Sequence, residues 1–340
     1  MKIGYFCYNL SGNGPRLRAR DVMNGIAEKT DHEVVALTSE PELLSSDIHR
    51  SVRVSISNPF STLWKVKKHF SDCDVVHVPI NIYQVGFVRL GFRGPIVGGI
   101  GPGLQHGPWH IWLAKHTLAV KIRTHERQDA WVKAGIRNEM CIATINTEIF
   151  KEYSNPKTKA VYERLNVNRD NDILLYIGTL NEEKGAKIID ELATKYGSNS
   201  TTILVGGDGP LRERVEANDN IRYEGFIRNK DLSDYYNIAD ITLGPRISDV
   251  TSNVGLESIA CGTPYISTAD GPFEIFSEEP PYIRAERSVE AIWKTIQRYM
   301  NNESLYQKQV KQGFNTLEYY PVTLESAIDI HSQVYESLRN

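Results

Sequence analysis

Asp249 and Glu257 stand eight positions apart in the stretch PRISDVTSNVGLESIACGTP, residues 245–264. Ile241-Thr242-Leu243 reads as a strand entering the polar turn between them. Val254 to Ala260 reads as a helix leaving it, stopped by Gly262 and Pro264. Strand, polar turn and helix N-terminus, in that order, put backbone N–H groups where an anion can sit. Ser252, Asn253 and Val254 would form that end of the helix. The plainer reading makes Asp249 a helix cap and Glu257 a solvated helix acid. Lys184 lies on a second loop of the same kind, Gly178 to Gly185, between a strand and a helix. No Asp and His cluster at metal-ligand spacing is visible, so cation work near an anion falls to side chains such as Lys184.

The elements that must hold these loops alternate along the whole chain. Ile3–Tyr8, His32–Leu37, Val52–Ile56, Asp74–Val78, Pro95–Gly99, Lys121–Thr124 and Cys141–Ile145 read as strands of a first series. Helices are expected through Ala19, Val22, Met23, Ile26 and Ala27, and over 63–70, 109–120 and 126–134. Residues 153–172 are polar, with a helical patch at Ala160–Leu165, and read as a linker. A second series then runs through strands at Ile173–Ile177, Thr202–Val205, Ile221–Gly225, Ala239–Leu243 and Tyr265–Ser267, and ends in three helices. This is α/β, with two doubly wound halves of Rossmann type. The boundaries expected are 1–155 for the first domain, joined by a returning helix at 322–340, and 170–320 for the second.

A chain of 340 residues suits two such domains, and 41% hydrophobic with 24% charged residues is ordinary for a globular protein. A formal charge of −3 gives no reason to expect nucleic acid as a partner. Cys7, Cys73, Cys141 and Cys261 form no C-x-x-C pair and read as buried thiols, which fits a reducing, cytoplasmic setting. The N-terminus lacks a signal-peptide layout, and no run approaches the ~18 apolar residues of a membrane span.

The stretch around Asp249 and Glu257 resembles the glutamate–seven residues–glutamate motif of family-four glycosyltransferases, which have the GT-B fold and retain anomeric configuration. Glu257 matches the second glutamate, and Gly262 and Pro264 match the A-x-G-x-P that follows it. Asp249 replaces the first glutamate with an acid one methylene shorter. The resemblance implies two Rossmann-like domains facing an interdomain cleft. It also implies transfer of a hexosyl or related sugar from a nucleoside-diphosphate sugar to a hydroxyl acceptor, on a glycan, a lipid-linked carrier or a small molecule. That sugar nucleotide is a co-substrate, and no cofactor or metal is expected.

Residue by residue, Lys184 matches the lysine of the family's G-R-L…K-G pattern, while Thr179 stands where the family has arginine. Threonine cannot replace a bidentate cation. Arg246, or the helix N-terminus at Val254, would then take over the phosphate. Glu257 would accept from ribose hydroxyls, and Asp249 would hold sugar hydroxyls. Gly178, Gly207 and Phe226 would line the nucleotide. The resemblance turns the loop carrying Gly12 and Gly14 toward the interdomain cleft, on the acceptor side; Arg16 and Arg20, one turn apart on the same helix face, read as a solvated face or as binding an anionic acceptor such as a lipid phosphate. His106, the single titratable side chain of the loop Gly101–Pro108, is aligned with a histidine that approaches the donor sugar.

Trp109 to Val120, WHIWLAKHTLAV, reads as a core helix or as an interfacial helix leaning on the inner face of a membrane. Lys65, Lys67, Lys68, Arg89 and Arg93 would then draw it to anionic lipid. Two other functions share the architecture. A nucleotide-sugar epimerase would need acid and base carboxylates facing the ring. A degenerate binding protein would explain the departures at Thr179 and Asp249.

Overall fold

The computed structural model describes residues 1–11, 14–99, 107–123, 132–248, 252–276 and 280–339. The chain divides into two compact units, Met1–Thr144 with Pro321–Asn340, and Ile145–Tyr320.

Among the described residues, the first unit has one parallel sheet. Its strands are β1 (Lys2–Phe6), β2 (Glu33–Thr38), β3 (Arg50–Arg53), β4 (Val75–Val78), β5 (Ile96–Gly99), β6 (Val120–Arg123) and β7 (Asn138–Met140). They run in the order β3-β2-β1-β4-β5-β6-β7. The second unit's sheet is also parallel. It is built from β8 (Asp172–Ile177), β9 (Thr201–Gly206), β10 (Ile221–Gly225), β11 (Ile241–Gly244), β12 (Tyr265–Ser267) and β13 (Ile283–Arg284). Its order is β10-β9-β8-β11-β12-β13.

Helices cover both faces, so the central strands are buried along their length and mostly apolar. All four residues of β4 and of β11 are buried. In the first unit one sheet face packs on Gly14–Lys29 through Val22, Met23 and Ile26. The returning helix Leu324–Glu336 adds Ala327, Ile328 and Tyr335 to the same core. The other face is covered by Pro59–Phe70, Ile82–Gly91 and Pro108–Thr117 through Val66, Phe70, Val85, Val88 and Ala114. The four cysteines are buried and unbridged, and burial pushes the Cys7, Cys73 and Cys261 thiols up to about 12.

Four expectations need correction. The strand placed at Cys141–Ile145 lies earlier, at Asn138–Met140, where Lys121, Ile122 and Arg123 find their partners. As an edge strand it is only half covered, and its polar residues hid it. The helix placed at 109–120 ends at Thr117, because Val120 already pairs with Val97 in the sheet. The helix Ile82–Gly91 was not expected at all. Gly86 and its β-branched residues give it poor propensity, but Asn81 caps it through the Tyr83 amide at 2.8 Å and Ile82, Val85 and Val88 bury one face. The helical patch read at Ala160–Leu165 is the end of a longer helix, Asn155–Leu165, and the stretch read as a linker belongs to the second unit. The helix expected at 126–134 lies mostly outside the described residues.

Candidate active site

In the second unit the chain steps outward from β8 to β9 and β10, then returns to β11 on the other side of β8. That reversal is where open α/β sheets leave a crevice at the carboxyl ends of their strands. The loops after β8 (178–185) and after β11 (245–252) flank it.

Two glycines set how closely the loop after β8 approaches its neighbours, the loops after β9 and β11. Gly207 has φ +139°, and a Cβ built on it would stand 1.9 Å from the Gly178 carbonyl oxygen. Gly185 has φ +85°, and its Cβ would stand 2.1 Å from the Pro245 carbonyl oxygen. Any side chain would wedge the loops apart and force a disfavoured backbone. Hydrogen bonds then lock them. Gly178 N donates to Gly206 O at 3.0 Å, Leu180 N to Asp208 O at 2.9 Å, and Ile247 N to Glu183 O at 2.9 Å. Arg287 donates from Nε to Pro245 O at 3.1 Å and from Nη2 to Glu182 O at 2.9 Å, bridging both loops.

Lys184 sits on this frame with Nζ 3.3 Å from Glu183 Oε1 and a side chain 29% exposed. Its own amide donates to Asn181 Oδ1 at 2.8 Å. The Tyr176 hydroxyl lies 3.0 Å from the Thr179 carbonyl and 3.3 Å from that of Lys184, shaping the turn from inside. Thr179 itself is exposed. Arg246 reaches across from the other loop, its Nη2 lying 3.9 Å from a Cβ built on Gly178. A guanidinium from the end of the adjacent strand thus stands beside Gly178.

Glu257 is buried, and its Oε2 accepts from the Tyr236 hydroxyl at 2.9 Å. Burial pushes its carboxyl up to about 7, although the Tyr236 bond and the nearby Arg246 charge both pull it down. A carboxyl held there ionises readily once further hydroxyls donate to it. It is not a solvated helix acid, so that plainer reading is corrected. The cap of Asn253–Ala260 is Ser252, whose Oγ accepts from Gly255 N at 3.1 Å and donates to the Tyr265 hydroxyl at 2.9 Å. Ser252 is therefore turned into the fold, where the Tyr282 hydroxyl also meets its carbonyl at 3.3 Å. Asn253 and Val254 open the helix. Phe226, just past β10, is 79% exposed. Asp249 lies outside the described residues, as do Gly12 and His106.

In the first unit Gly14 opens the helix Gly14–Lys29, and half-buried Arg16 donates from Nη1 to Ser11 O at 3.4 Å. The same loop is held by Glu40, which the sequence did not single out. Its carboxylate accepts from Leu10 N at 2.6 Å, from Ser11 N at 2.9 Å and from the Ser11 hydroxyl. Desolvation pushes its carboxyl up, but these bonds and the Arg16 charge prevail and hold it low. Tyr236 and Arg287 were missed too. Tyr236 carries a weak signal, four residues after Leu232 on one buried face; Arg287 carries none.

Residues 158–316 match the family model for glycosyl transferases group 1. The second unit carries a group 1 glycosyltransferase domain. The chain is 31% identical over 145 residues to the 2-deoxystreptamine N-acetyl-D-glucosaminyltransferase of Niallia circulans, covering 39% of this chain and 37% of that one. It is 26% identical over 137 residues to the alpha-monoglucosyldiacylglycerol synthase of Acholeplasma laidlawii, covering 37% and 34%. The matched stretches thus span little more than a third of those relatives' own length. The fold is that of GT-B glycosyltransferases. Anabaena HepE, solved in complex with UDP-glucose, superposes with a TM-score of 0.77 at 15% identity over 99% of both chains.

Proposed function

We propose that the protein is a retaining, metal-independent glycosyltransferase that moves a sugar from a nucleoside diphosphate to a hydroxyl acceptor. The observation that carries this reading is Arg246 standing near both buried Glu257 and Gly178 at the crevice, with Lys184 on the facing loop. In the transfer, the bond from the anomeric carbon to the phosphate oxygen breaks and its electron pair leaves with the diphosphate. Fixed cations and amide dipoles aimed at that phosphate stabilise the charge as it develops. Lys184 and Arg246 supply the cations, and the helix opening at Asn253 and Val254 supplies the dipole. Glu257 accepts from the ribose hydroxyls, with Tyr236 fixing one of its oxygens so that the other faces the ligand. Gly178, Thr179, Gly207 and Phe226 line the nucleotide.

Asp249 and His106 are assigned to the donor sugar. The acceptor side is assigned to the loop with Gly12, Gly14 and Arg16 in the first unit. The acceptor is a glycan, a lipid-linked carrier or a small molecule, and work at the cytoplasmic face of a membrane accommodates all three. A panel of nucleotide sugars, first by thermal shift and then by turnover, tests the proposal. Slow hydrolysis alone, with fast release of nucleoside diphosphate only when acceptor is added, supports transfer. A new sugar nucleotide would make the protein an epimerase, and binding without either product a non-catalytic binder.

A further inference from the structure

Pro59–Phe70, Ile82–Gly91 and Pro108–Thr117 lie side by side on one face of the first unit's sheet. Their inner sides fill the core. Their outer sides carry Phe60, Trp64, Tyr83, Leu90, Trp109 and Trp112, each at least half exposed. More than half of the large hydrophobic residues exposed among the described residues therefore sit on these three helices. An exposed apolar group of this size on one layer marks an interaction surface. It is also ordered. Trp109 and Trp112 stack with ring centroids 5.0 Å apart, and His116 continues the stack at 4.6 Å. The Tyr83 hydroxyl lies 2.9 Å from His110 Nε2, tying the second helix to the third.

The charge on this layer is one-sided. None of the three helices contains an acid, in a chain whose formal charge is −3. Two of its cations serve the fold. Arg89 donates to the carbonyls of Phe92, Gly94 and Thr117, and Lys65 to that of Arg53. Lys67, Lys68, Arg93 and Lys115 remain exposed, Lys68 with its Nζ 4.7 Å above the Trp64 ring.

We infer that this three-helix face docks on an anionic lipid bilayer. Indole and phenol rings settle at the boundary between headgroups and acyl chains, where an apolar body and a polar tip are both satisfied. Lysines beside them add attraction to anionic headgroups. A second copy of the same face would set lysine against lysine, which argues against self-association there. The inference stands on the first unit alone, so it survives or fails independently of the donor site.

The test is co-sedimentation of the purified chain with phosphatidylcholine vesicles, with and without a third of phosphatidylglycerol, read together with tryptophan quenching by brominated lipid. The expected result is binding to the anionic vesicles at least about tenfold tighter than to neutral ones, weakened by salt, with quenched tryptophan. Trp109→Ser with Trp112→Ser, and separately Lys67→Glu with Lys68→Glu, should each lose about tenfold or more in vesicle affinity while keeping the wild-type melting temperature. A chain that stays in the supernatant with anionic vesicles overturns the proposal. Variants that bind as wild type overturn it too. Concentration-dependent self-association in the ultracentrifuge that the tryptophan variants abolish would reassign the face to a second copy, and binding only to an acidic protein would reassign it to that partner.

Discussion

The two units bury opposite kinds of titratable group. In the first, His77 on β4 stacks on His331 of the returning helix at 5.3 Å, and its Nδ1 lies 2.6 Å from the Tyr335 hydroxyl. Burial holds His331 down to about 4 and drives His77 well below the usual imidazole range. In the second, burial raises Glu257 to about 7 and Asp240 to about 6. Both shifts come from desolvation, yet they mean different things. The histidine pair lies within the packing between sheet and helix and joins those elements. Glu257 lies at the carboxyl end of the strands, beside Arg246, where the sheet order reverses. A perturbed group becomes a site candidate through that position, and burial alone does not make it one.

The largest test of this contrast is Gly207→Ala. Its Cβ has no room against Gly178 at a φ that side chains avoid, so the second unit should lose about 3 kcal/mol or more. Amide exchange should rise in β8 and β9 and stay unchanged in β1 and β4; uniform loss in both units would refute separate stabilities. Next, Arg246→Ala and Lys184→Ala should each weaken donor binding by about tenfold or more, as loss of a charge-assisted bond does. Calorimetry with a sugar nucleotide reads this, and wild-type affinity in both variants would remove the phosphate-side assignment.

Acid should then split the units. Unfolded His331 takes up its proton near 6.5 and folded His331 near 4, so the first unit loses stability as pH falls through that window. Glu257 ionises near 4.5 unfolded and near 7 folded, so its contribution is full in acid and is lost as pH rises through 7. Exchange protection followed in each unit between pH 7 and 5 should move in opposite directions, and Glu257→Gln should flatten the second trend. The smallest effect expected is from Asp249→Glu, which restores the family's longer acid. A rise in turnover of roughly a few-fold supports the sugar-holding role, and a fall shows that the shorter acid is matched to its substrate.

Much of this was readable in the chain. Val75–Val78 and Ile173–Ile177 are strands buried on both faces, so their hydrophobic runs announce themselves. The loop that carries Lys184 and the helix start ahead of Glu257 were visible because each has a local signature. The remainder depends on contacts distant in sequence. Tyr236 meets Glu257 from another helix, and Arg287 holds the carbonyl of Glu182, 105 positions away. Local pattern carries no trace of such pairs. The helix Ile82–Gly91 was hidden for the opposite reason: its local preferences are poor, and packing against the helices on either side overrides them.

Residues 321–340 belong with the first unit although the whole of the second unit is strung between them and Thr144. On a translating ribosome, then, the second unit has its full complement of contacts before the first does. Until Leu324, Ala327 and Ile328 emerge, the earlier-made half waits with one wall of its interior open. The half made first is finished last, and a pause or truncation ahead of residue 321 would strike the domain made before it.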